Sequence, residues 1–269
     1  MTTFTAPPDQ VDLVLGREDI LDVHSGGTAT GTTIGFGGTV NVHGGTTVDT
    51  LINALGVEHV GLGGVADDTT IKRGGVENVA RGGAANHTIL DGGTLNVSGT
   101  STGTIINDGS EWVHGTSNGT IVNRFGVEYV YGGVANNTTI NGSLEEVASG
   151  VADNVIFEGS RSHLDLSYPT SLKGTITDWS VGDVIHFSNR TDILSVHENA
   201  ADTTVTVKYF DDDFGNQTVT YSLVGQKANT QIEIQRDPQG GADLVLVPIV
   251  GAEHHEAAIH FGPGHHFFF

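Results

Sequence analysis

The chain has 269 residues and a formal net charge of −21, from 32 acidic and 11 basic side chains. Nucleic acids and anionic membranes attract positively charged surfaces, so neither is an expected partner of this chain. The chain lacks cysteine, which excludes disulfides, thiolate nucleophiles and cysteine-ligated zinc, and no apolar run approaches the roughly 18 residues that span a bilayer.

Residues 1–19 are interpreted as an N-terminal lead-in that caps the element after it. Val11, Leu13 and Leu15 alternate with polar residues, which is typical of a short strand. The segment has neither the basic nor the apolar region of a secretory signal peptide, so we expect no cleaved Sec signal.

Residues 20–159 repeat one short unit about eight times, with 16 to 19 residues between copies. Each copy has two strand signals separated by a glycine-rich turn, as at Gly132-Gly133. A valine marks the first strand, at Val23, Val42, Val60, Val79, Val97, Val113, Val130 and Val147. An isoleucine marks the second, at Ile34, Ile52, Ile71, Ile89, Ile105, Ile121, Ile140 and Ile156. So short a period predicts a β-solenoid, in which each copy forms one coil and neighbouring coils stack.

A row of glutamates accompanies the marker valines. The members stand two residues before the valine, at Glu58, Glu77, Glu111, Glu128 and Glu145. Strict alternation from an inward valine would place them inside the solenoid, where an unpaired carboxylate is costly. We therefore expect the row to face solvent, and a row bridged by calcium is the alternative.

Residues 160–250 lose the glycine period and are predicted to form an antiparallel β domain. The segments 203–210 and 217–223 alternate strongly and are joined by a turn, which predicts a hairpin. Such a domain would cover the open strand edge at the end of the solenoid. The predicted fold class is thus all-β, with a solenoid of about eight coils and a C-terminal capping domain.

The turn of this hairpin carries a group of oxygen-bearing side chains. Asp211, Asp212, Asp213 and Asn216 offer the ligands that calcium prefers. The loop lacks the twelve-residue pattern of an EF-hand, and an ordinary acidic turn is the alternative. Calcium is the cofactor that this loop suggests.

Residues 251–269 form a tail rich in histidine and phenylalanine. His254, His255, Glu256 and His260 are candidate ligands of a transition metal. The spacing of His255 and His260 is one residue longer than in the zinc helix of metalloproteases, so that catalytic site is rejected. A tail that is disordered or binds a partner is the alternative.

The repeat unit reads Val-Glu-x-Val-x-x-Gly-Gly-x-Ala-x-x-Thr-x-Ile, with its best copies at 57–71, 76–89 and 127–140. It resembles the AIDA-type passenger repeat of bacterial autotransporter adhesins. The resemblance implies a right-handed β-solenoid that is displayed on a bacterial surface and acts in adhesion, self-association or biofilm formation. The segment 173–250 resembles β modules that follow such repeats in large secreted bacterial proteins.

These observations favour a non-enzymatic extracellular protein with a structural or adhesive role. The expected partner is a second copy of the chain, in an oligomer or filament, or a cell-surface glycan. The alternative is a polysaccharide lyase or hydrolase, because β-helices also carry such enzymes. An enzyme of this kind needs a cluster of carboxylates with a basic side chain, and such an active site would interrupt the repeat. The glutamate row is regular and shows no interruption.

Overall fold

The structure, a computed structural model, describes residues 1–188, 192–199, 203–211, 214–225, 229–236 and 241–249. Within these ranges the chain forms thirty β-strands and one short 3-10 helix, Pro169–Ser171, and no α-helix. The predicted all-β solenoid is confirmed, with about ten coils. None of the described helices is long and apolar enough to cross a membrane.

Strands β1 to β25 form the solenoid. The first four coils are β1 (Thr3–Ala6), β2 (Gln10–Val11), β3 (Val14–Leu15), β4 (Ile20–His24), β5 (Thr28–Thr30), β6 (Thr33–Ile34), β7 (Thr39–His43), β8 (Thr46–Val48), β9 (Leu51–Ile52), β10 (Val57–Val60), β11 (Val65–Asp67) and β12 (Thr70–Lys72). The middle coils are β13 (Val76–Val79), β14 (Ala84–Asn86), β15 (Ile89–Val97), β16 (Thr100–Thr102), β17 (Ile105–Val113), β18 (Thr116–Asn118), β19 (Ile121–Val130) and β20 (Val134–Asn141). The last coils are β21 (Leu144–Val147), β22 (Val151–Glu158), β23 (His163–Leu166), β24 (Leu172–Thr177) and β25 (Val184–Phe187).

Every strand of the repeat pairs in parallel with the corresponding strand of the next coil. The marker valines form one continuous ladder from Val23 to Val147, as the sequence alignment predicted. The isoleucine alignment is wrong by one residue in four coils. The inward ladder there consists of Leu90, Ile106, Val122 and Phe157 rather than Ile89, Ile105, Ile121 and Ile156.

The glycine pairs mark tight corners between strands. Gly132 has a positive φ of 75°, which side chains with a Cβ rarely adopt. A Cβ on the next residue, Gly133, would lie 2.7 Å from the carbonyl oxygens of Val113 and Gly115 in the coil below. The second glycine is therefore required because the corners of successive coils stack backbone against backbone.

Parallel stacking extends past both ends of the predicted repeat region. Strands β1, β2 and β3 pair with β4, β5 and β6, so residues 1–19 contribute a full coil. At the other end β23 stacks in parallel on β21, and β25 stacks on β23. The physical reason is that these segments keep inward apolar residues at alternate positions even where their glycine pairs are lost.

The C-terminal strands are β26 (Asp192–Glu198), β27 (Thr204–Asp211), β28 (Gly215–Val224), β29 (Thr230–Arg236) and β30 (Ala242–Pro248). They pair antiparallel as β26–β27–β28 and as β29–β30–β25. The apolar core continues from the last coils into these strands and includes the buried rings of Trp179, Phe187 and Tyr221. The hydroxyl of Tyr221 donates to the carbonyl oxygen of Pro169 at 2.6 Å, which ties β28 to the 3-10 turn.

The glutamate row is inside the solenoid, so the prediction of a solvated row is wrong. All five side chains have no exposed surface. Strict alternation from the marker valine decides their orientation, because the strands keep one phase through this segment. In the described residues no group of three histidine or acidic side chains is arranged to hold a metal, and the alternative of a calcium-bridged row stays a prediction.

Candidate functional site

The buried glutamates lie opposite a second internal row, which consists of hydroxyl side chains. This hydroxyl row comprises Thr32, Thr50, Thr69, Thr88, Thr104, Thr120 and Thr138, all buried. Members of this row donate to the glutamates in four pairs, Thr69 to Glu58 (3.5 Å), Thr88 to Glu77 (3.3 Å), Thr120 to Glu111 (3.1 Å) and Thr138 to Glu128 (2.8 Å). Two hydroxyls outside the row also donate, Thr47 to Glu58 (2.7 Å) and Ser101 to Glu111 (2.5 Å). The Glu and Thr of the sequence motif are therefore partners across the interior.

The pairing fails at the ends of the two rows. Thr32 and Thr50 lie in coils whose inward residue is Leu21 or Val40, and among the described residues neither hydroxyl has a partner. Glu145 lies in the coil where Val155 replaces the threonine, and neither of its carboxyl oxygens has a described partner. The interior is thus stabilised by matched Glu and Thr residues, and the mismatches at the ends leave polar atoms of Thr32, Thr50 and Glu145 unsatisfied. In the coil where Leu95 stands at the glutamate position, Thr104 instead donates to Glu111 of the next coil at 3.4 Å.

Burial raises the pKa of these carboxyls and so favours their neutral form. Desolvation raises the pKa of Glu58 to about 7 and that of Glu111 to about 8, and the neighbouring Glu128 contributes to the rise at Glu111. Desolvation also raises the pKa of Glu77, Glu128 and Glu145. A neutral carboxyl is much cheaper to bury than a carboxylate, which explains how the row is tolerated inside.

The outward residues of the same strands form a column that we call the outer column. It consists of Asp22, Asn41, His59, Asn78, Asn96, Trp112, Tyr129, Glu146, Asp165 and His186. Each member stands directly after an inward residue, so the alternation that buries Glu111 presents Trp112 to the surface. The members of the outer column are partly exposed, apart from His59, which is exposed.

Amide and imidazole side chains occupy the first half of the outer column. The amide nitrogen of Asn96 donates to the side-chain oxygen of Asn78 at 2.9 Å, and the amide of Asn78 lies 3.3 Å from Nδ1 of His59. Asn41 donates to Asp22 at 2.9 Å. These bonds hold a ladder of neutral donors and acceptors in fixed orientations along the face.

Aromatic rings occupy the next coils. Trp112 stacks on Tyr129 with 4.3 Å between ring centroids, and Tyr131 stacks on Trp112 at 5.6 Å. His114 stacks on Tyr131 at 6.4 Å. The hydroxyl of Tyr131 donates to Glu146 at 3.3 Å, which fixes the end of the cluster. The four rings form a partly exposed platform on a rigid sheet.

A shallow depression of about 280 Å³ lies beside the amide ladder. Its floor contains Gly61, Ala80 and Ser98, which occupy consecutive coils at the position held by His43 before them and His114 after them. The rise of about 4.8 Å per coil places the two histidine positions roughly 19 Å apart. Small residues between larger rings therefore leave an elongated trough along the face.

The metal sites that the sequence suggested stay predictions. Asp211 ends β27 and accepts a hydrogen bond from the backbone nitrogen of Phe214 at 3.0 Å, as in a turn. Asn216 pairs with Phe210 across the hairpin. Asp212 and Asp213, and the tail residues His254, His255, Glu256 and His260, lie outside the described residues.

The outer column was missed at the sequence level. Its residues occupy the variable position of the motif Val-Glu-x-Val, which carries no repeat signal of its own. The available signal was the spacing of 17 residues between Trp112 and Tyr129, which equals the spacing of the marker valines in those coils. Equal spacing places the two rings in adjacent coils.

The described residues thus form a repetitive parallel β-solenoid with a partly exposed aromatic platform on one face. No protein-family model and no curated protein matches the sequence. A similar solved structure is the TibC-catalysed, hyper-glycosylated fragment of the autotransporter adhesin TibA. It shares 28% sequence identity with this chain, covers 68% of each chain and has a TM-score of 0.57.

The repeat is therefore an AIDA-type autotransporter passenger repeat, as its motif indicated. The similarity supports an adhesive protein located at the bacterial cell surface or outside the cell.

Proposed function

We propose that the protein is a non-enzymatic adhesin that binds surface glycans through the outer column. The observation that carries the proposal is the stacked platform of Trp112 and Tyr129, which continues in register into the amide ladder of Asn78 and Asn96. Aromatic faces stack on the apolar faces of sugar rings, and amides donate to and accept from sugar hydroxyls. Side chains presented on a rigid sheet need little ordering before they bind.

The trough suits an extended ligand. Its long axis follows the stack of coils, so a linear saccharide could contact one coil after another. The amide ladder is electrically neutral, in contrast with the net charge of −21 of the whole chain. Neutral donors and acceptors bind hydroxyl groups without the strong dependence on salt that charge pairs show.

The positions of the acidic groups with raised pKa support a role without catalysis. A glycosidase needs a carboxylic acid with a raised pKa beside the bond that it cleaves. Among the described residues, the carboxyls with a raised pKa have no exposed surface and face the interior, and they are Glu58, Glu77, Glu111, Glu128 and Glu145. A polysaccharide on the outer face lies on the opposite side of the sheet from them.

Self-association is a second candidate, and the N-terminal coil favours it. In the described residues β1, β2 and β3 pair only with the coil that follows, so their other edge has no partner within these residues. An open strand edge can template pairing with a second copy of the chain. Pro7 and Pro8 lie in this coil and lack the backbone donor, which opposes continuous pairing there.

Glycan binding is tested by screening the full chain on an array of immobilised glycans. Three proteins are compared: the wild type, the double variant Trp112→Ala/Tyr129→Ala, and the control Phe36→Ala, which removes an exposed ring outside the outer column. We expect binding by the wild type and the control and loss of binding in the double variant. Equal binding by all three proteins, or binding by none, would refute the proposal.

Self-association is tested by negative-stain electron microscopy of the same proteins, with and without a chelator. Filaments that persist in the double variant would support contacts at the open edge. Filaments that dissolve in chelator would support the predicted calcium loop at Asp211. Isolated rods under all conditions would remove self-association as a function of the purified chain.

A further inference from the structure

A groove of about 570 Å³ lies at the corner where β19 and β20 turn into the following strands. Arg124 and Arg161 line it together with the amides of Asn123 and Asn141 and the side chain of Ser160. The groove is open to solvent and distinct from the trough on the outer column. It shares β19 with Tyr129, so the two features belong to one element.

The charge of this groove is opposite to that of the chain as a whole. Between residues 82 and 172 the sequence has only two lysines or arginines, Arg124 and Arg161, and both line the groove. Neither forms an ion pair with a described acidic residue. Glu158 pairs in register with Asn141 and Asp108 with Phe125, so acidic groups flank the groove, but neither of them lines it.

The polar groups of the groove are held in place. The amide of Asn141 donates to Asn123 at 3.0 Å, and the amide of Asn123 donates to Asn107 at 2.9 Å. The guanidinium of Arg124 lies 5.5 Å from the centroid of the exposed Phe125 ring, which limits the freedom of its side chain. The guanidinium groups of Arg124 and Arg161 and the amides of Asn123 and Asn141 line one groove, and such donors suit the oxygens of a carboxylate or sulfate.

We infer that this groove binds an anionic group on a saccharide, a carboxylate or sulfate carried by one sugar unit. The inference rests on the proposed glycan-binding function and adds charge selectivity to it. The outer column holds the sugar chain through stacking and neutral hydrogen bonds. The groove then distinguishes acidic glycans from neutral ones. Without it, a protein with so large a negative charge would repel acidic glycans.

The test compares two ligands that differ only in charge. One is an oligogalacturonide with free carboxylates, and the other is its methyl ester, which is neutral. Binding to the full chain is measured by biolayer interferometry at low and at high salt. We expect the wild type to prefer the acid, with a preference that weakens at high salt.

The variants assign that preference to the groove. Arg124→Ala/Arg161→Ala should lose about tenfold to a hundredfold in affinity for the acid while its affinity for the ester is unchanged. Arg17→Ala/Arg81→Ala removes two exposed arginines outside the groove and controls for net charge. Lysine at both positions keeps the charge without the bidentate geometry, so Arg124→Lys/Arg161→Lys should restore only part of the preference.

The outcomes separate this inference from the function on which it rests. Ester binding without any preference for the acid, or a preference that survives in the double alanine variant, refutes the inference and leaves glycan binding standing. Failure of the wild type to bind any immobilised glycan refutes both.

Discussion

The first strand of each coil presents two contrasting surfaces within adjacent residues. Glu111 and Glu128 face the interior and have no exposed surface, whereas their neighbours Trp112 and Tyr129 stack on the outside. The inner row is held by hydroxyl groups of other strands, and the outer column is held by contacts between successive coils. The inner row therefore governs stability and its dependence on pH, while the outer column carries the proposed recognition of glycans.

The largest expected effect is the response of the inner row to pH. The unfolded carboxyls titrate near 4.5, whereas burial raises the pKa of Glu58 to about 7 and that of Glu111 to about 8. Their contribution to stability is therefore complete below pH 4.5 and is lost as the pH rises through 7 and 8. We expect the free energy of unfolding to fall by several kcal/mol, at about 1.4 kcal/mol per group and pH unit.

Thermal unfolding followed by circular dichroism between pH 5 and pH 9 measures this effect. The matched variant is Glu58→Gln/Glu111→Gln, which removes two titrating groups and should flatten the profile in the alkaline range. A melting temperature that rises from pH 5 to pH 9 would mean that the inner carboxyls are ionised in the folded protein.

The second expected effect separates matched from unmatched glutamates. Glu111→Leu removes the partner of Ser101 and Thr120, so buried hydroxyl groups lose their hydrogen bonds. We expect a loss of about 1–3 kcal/mol in the free energy of unfolding, because the desolvation cost of those hydroxyls is no longer offset. Denaturant unfolding at pH 6 measures it, and an unchanged midpoint would show that these hydrogen bonds contribute no net stability.

The same substitution at the end of the row should have the opposite sign. Glu145 has two buried oxygens without a described partner, and Leu164 occupies the next position of the ladder. Glu145→Leu is expected to stabilise the chain by about 1 kcal/mol, because a buried polar group is replaced by an apolar one of similar size.

A companion variant sharpens this test. Val155→Thr should supply the missing hydroxyl partner and so raise the melting temperature, provided that Glu145 is retained. If Glu145→Leu destabilises the chain as much as Glu111→Leu does, a hydrogen-bonding hydroxyl has no effect on the stability contributed by a buried glutamate.

The sequence predicts those parts of the fold that are repeated from coil to coil. The valine ladder and the coil architecture follow from spacing alone, since each coil repeats the same inward residue. The prediction of outward glutamates was wrong because it treated the side chains as ionised carboxylates without partners. The motif contains the threonine that satisfies them, but only the closed coil shows that Glu128 and Thr138 meet.

The outer features are harder to predict. Trp112 and Tyr129 can be placed in adjacent coils from their spacing, because coil length fixes the register. Arg124 and Arg161 line one groove because of the path of two corners of irregular length, and no repeat signal predicts that path. The outer column and the groove lie at positions where the repeat varies, so a search for repeated residues does not detect them.

The smallest expected effect on stability is at the outer column. Trp112→Ala removes stacking with Tyr129 on a partly exposed face, and cross-strand pairs of this kind contribute roughly 0.2–1 kcal/mol. We expect the melting temperature of this variant to lie close to that of the wild type. A large loss of stability would mean that the aromatic platform holds the solenoid together and would weaken its assignment to recognition.

The most direct test of glycan recognition by the outer column is the affinity of Trp112→Ala/Tyr129→Ala for a glycan that the wild type binds, measured beside its unfolding curve. The proposed function predicts that affinity is lost while the solenoid unfolds within about 2 kcal/mol of the wild type, the limit set by two stacked pairs. Retained affinity in a folded double variant would contradict it, because the sugar would then be bound elsewhere on the chain.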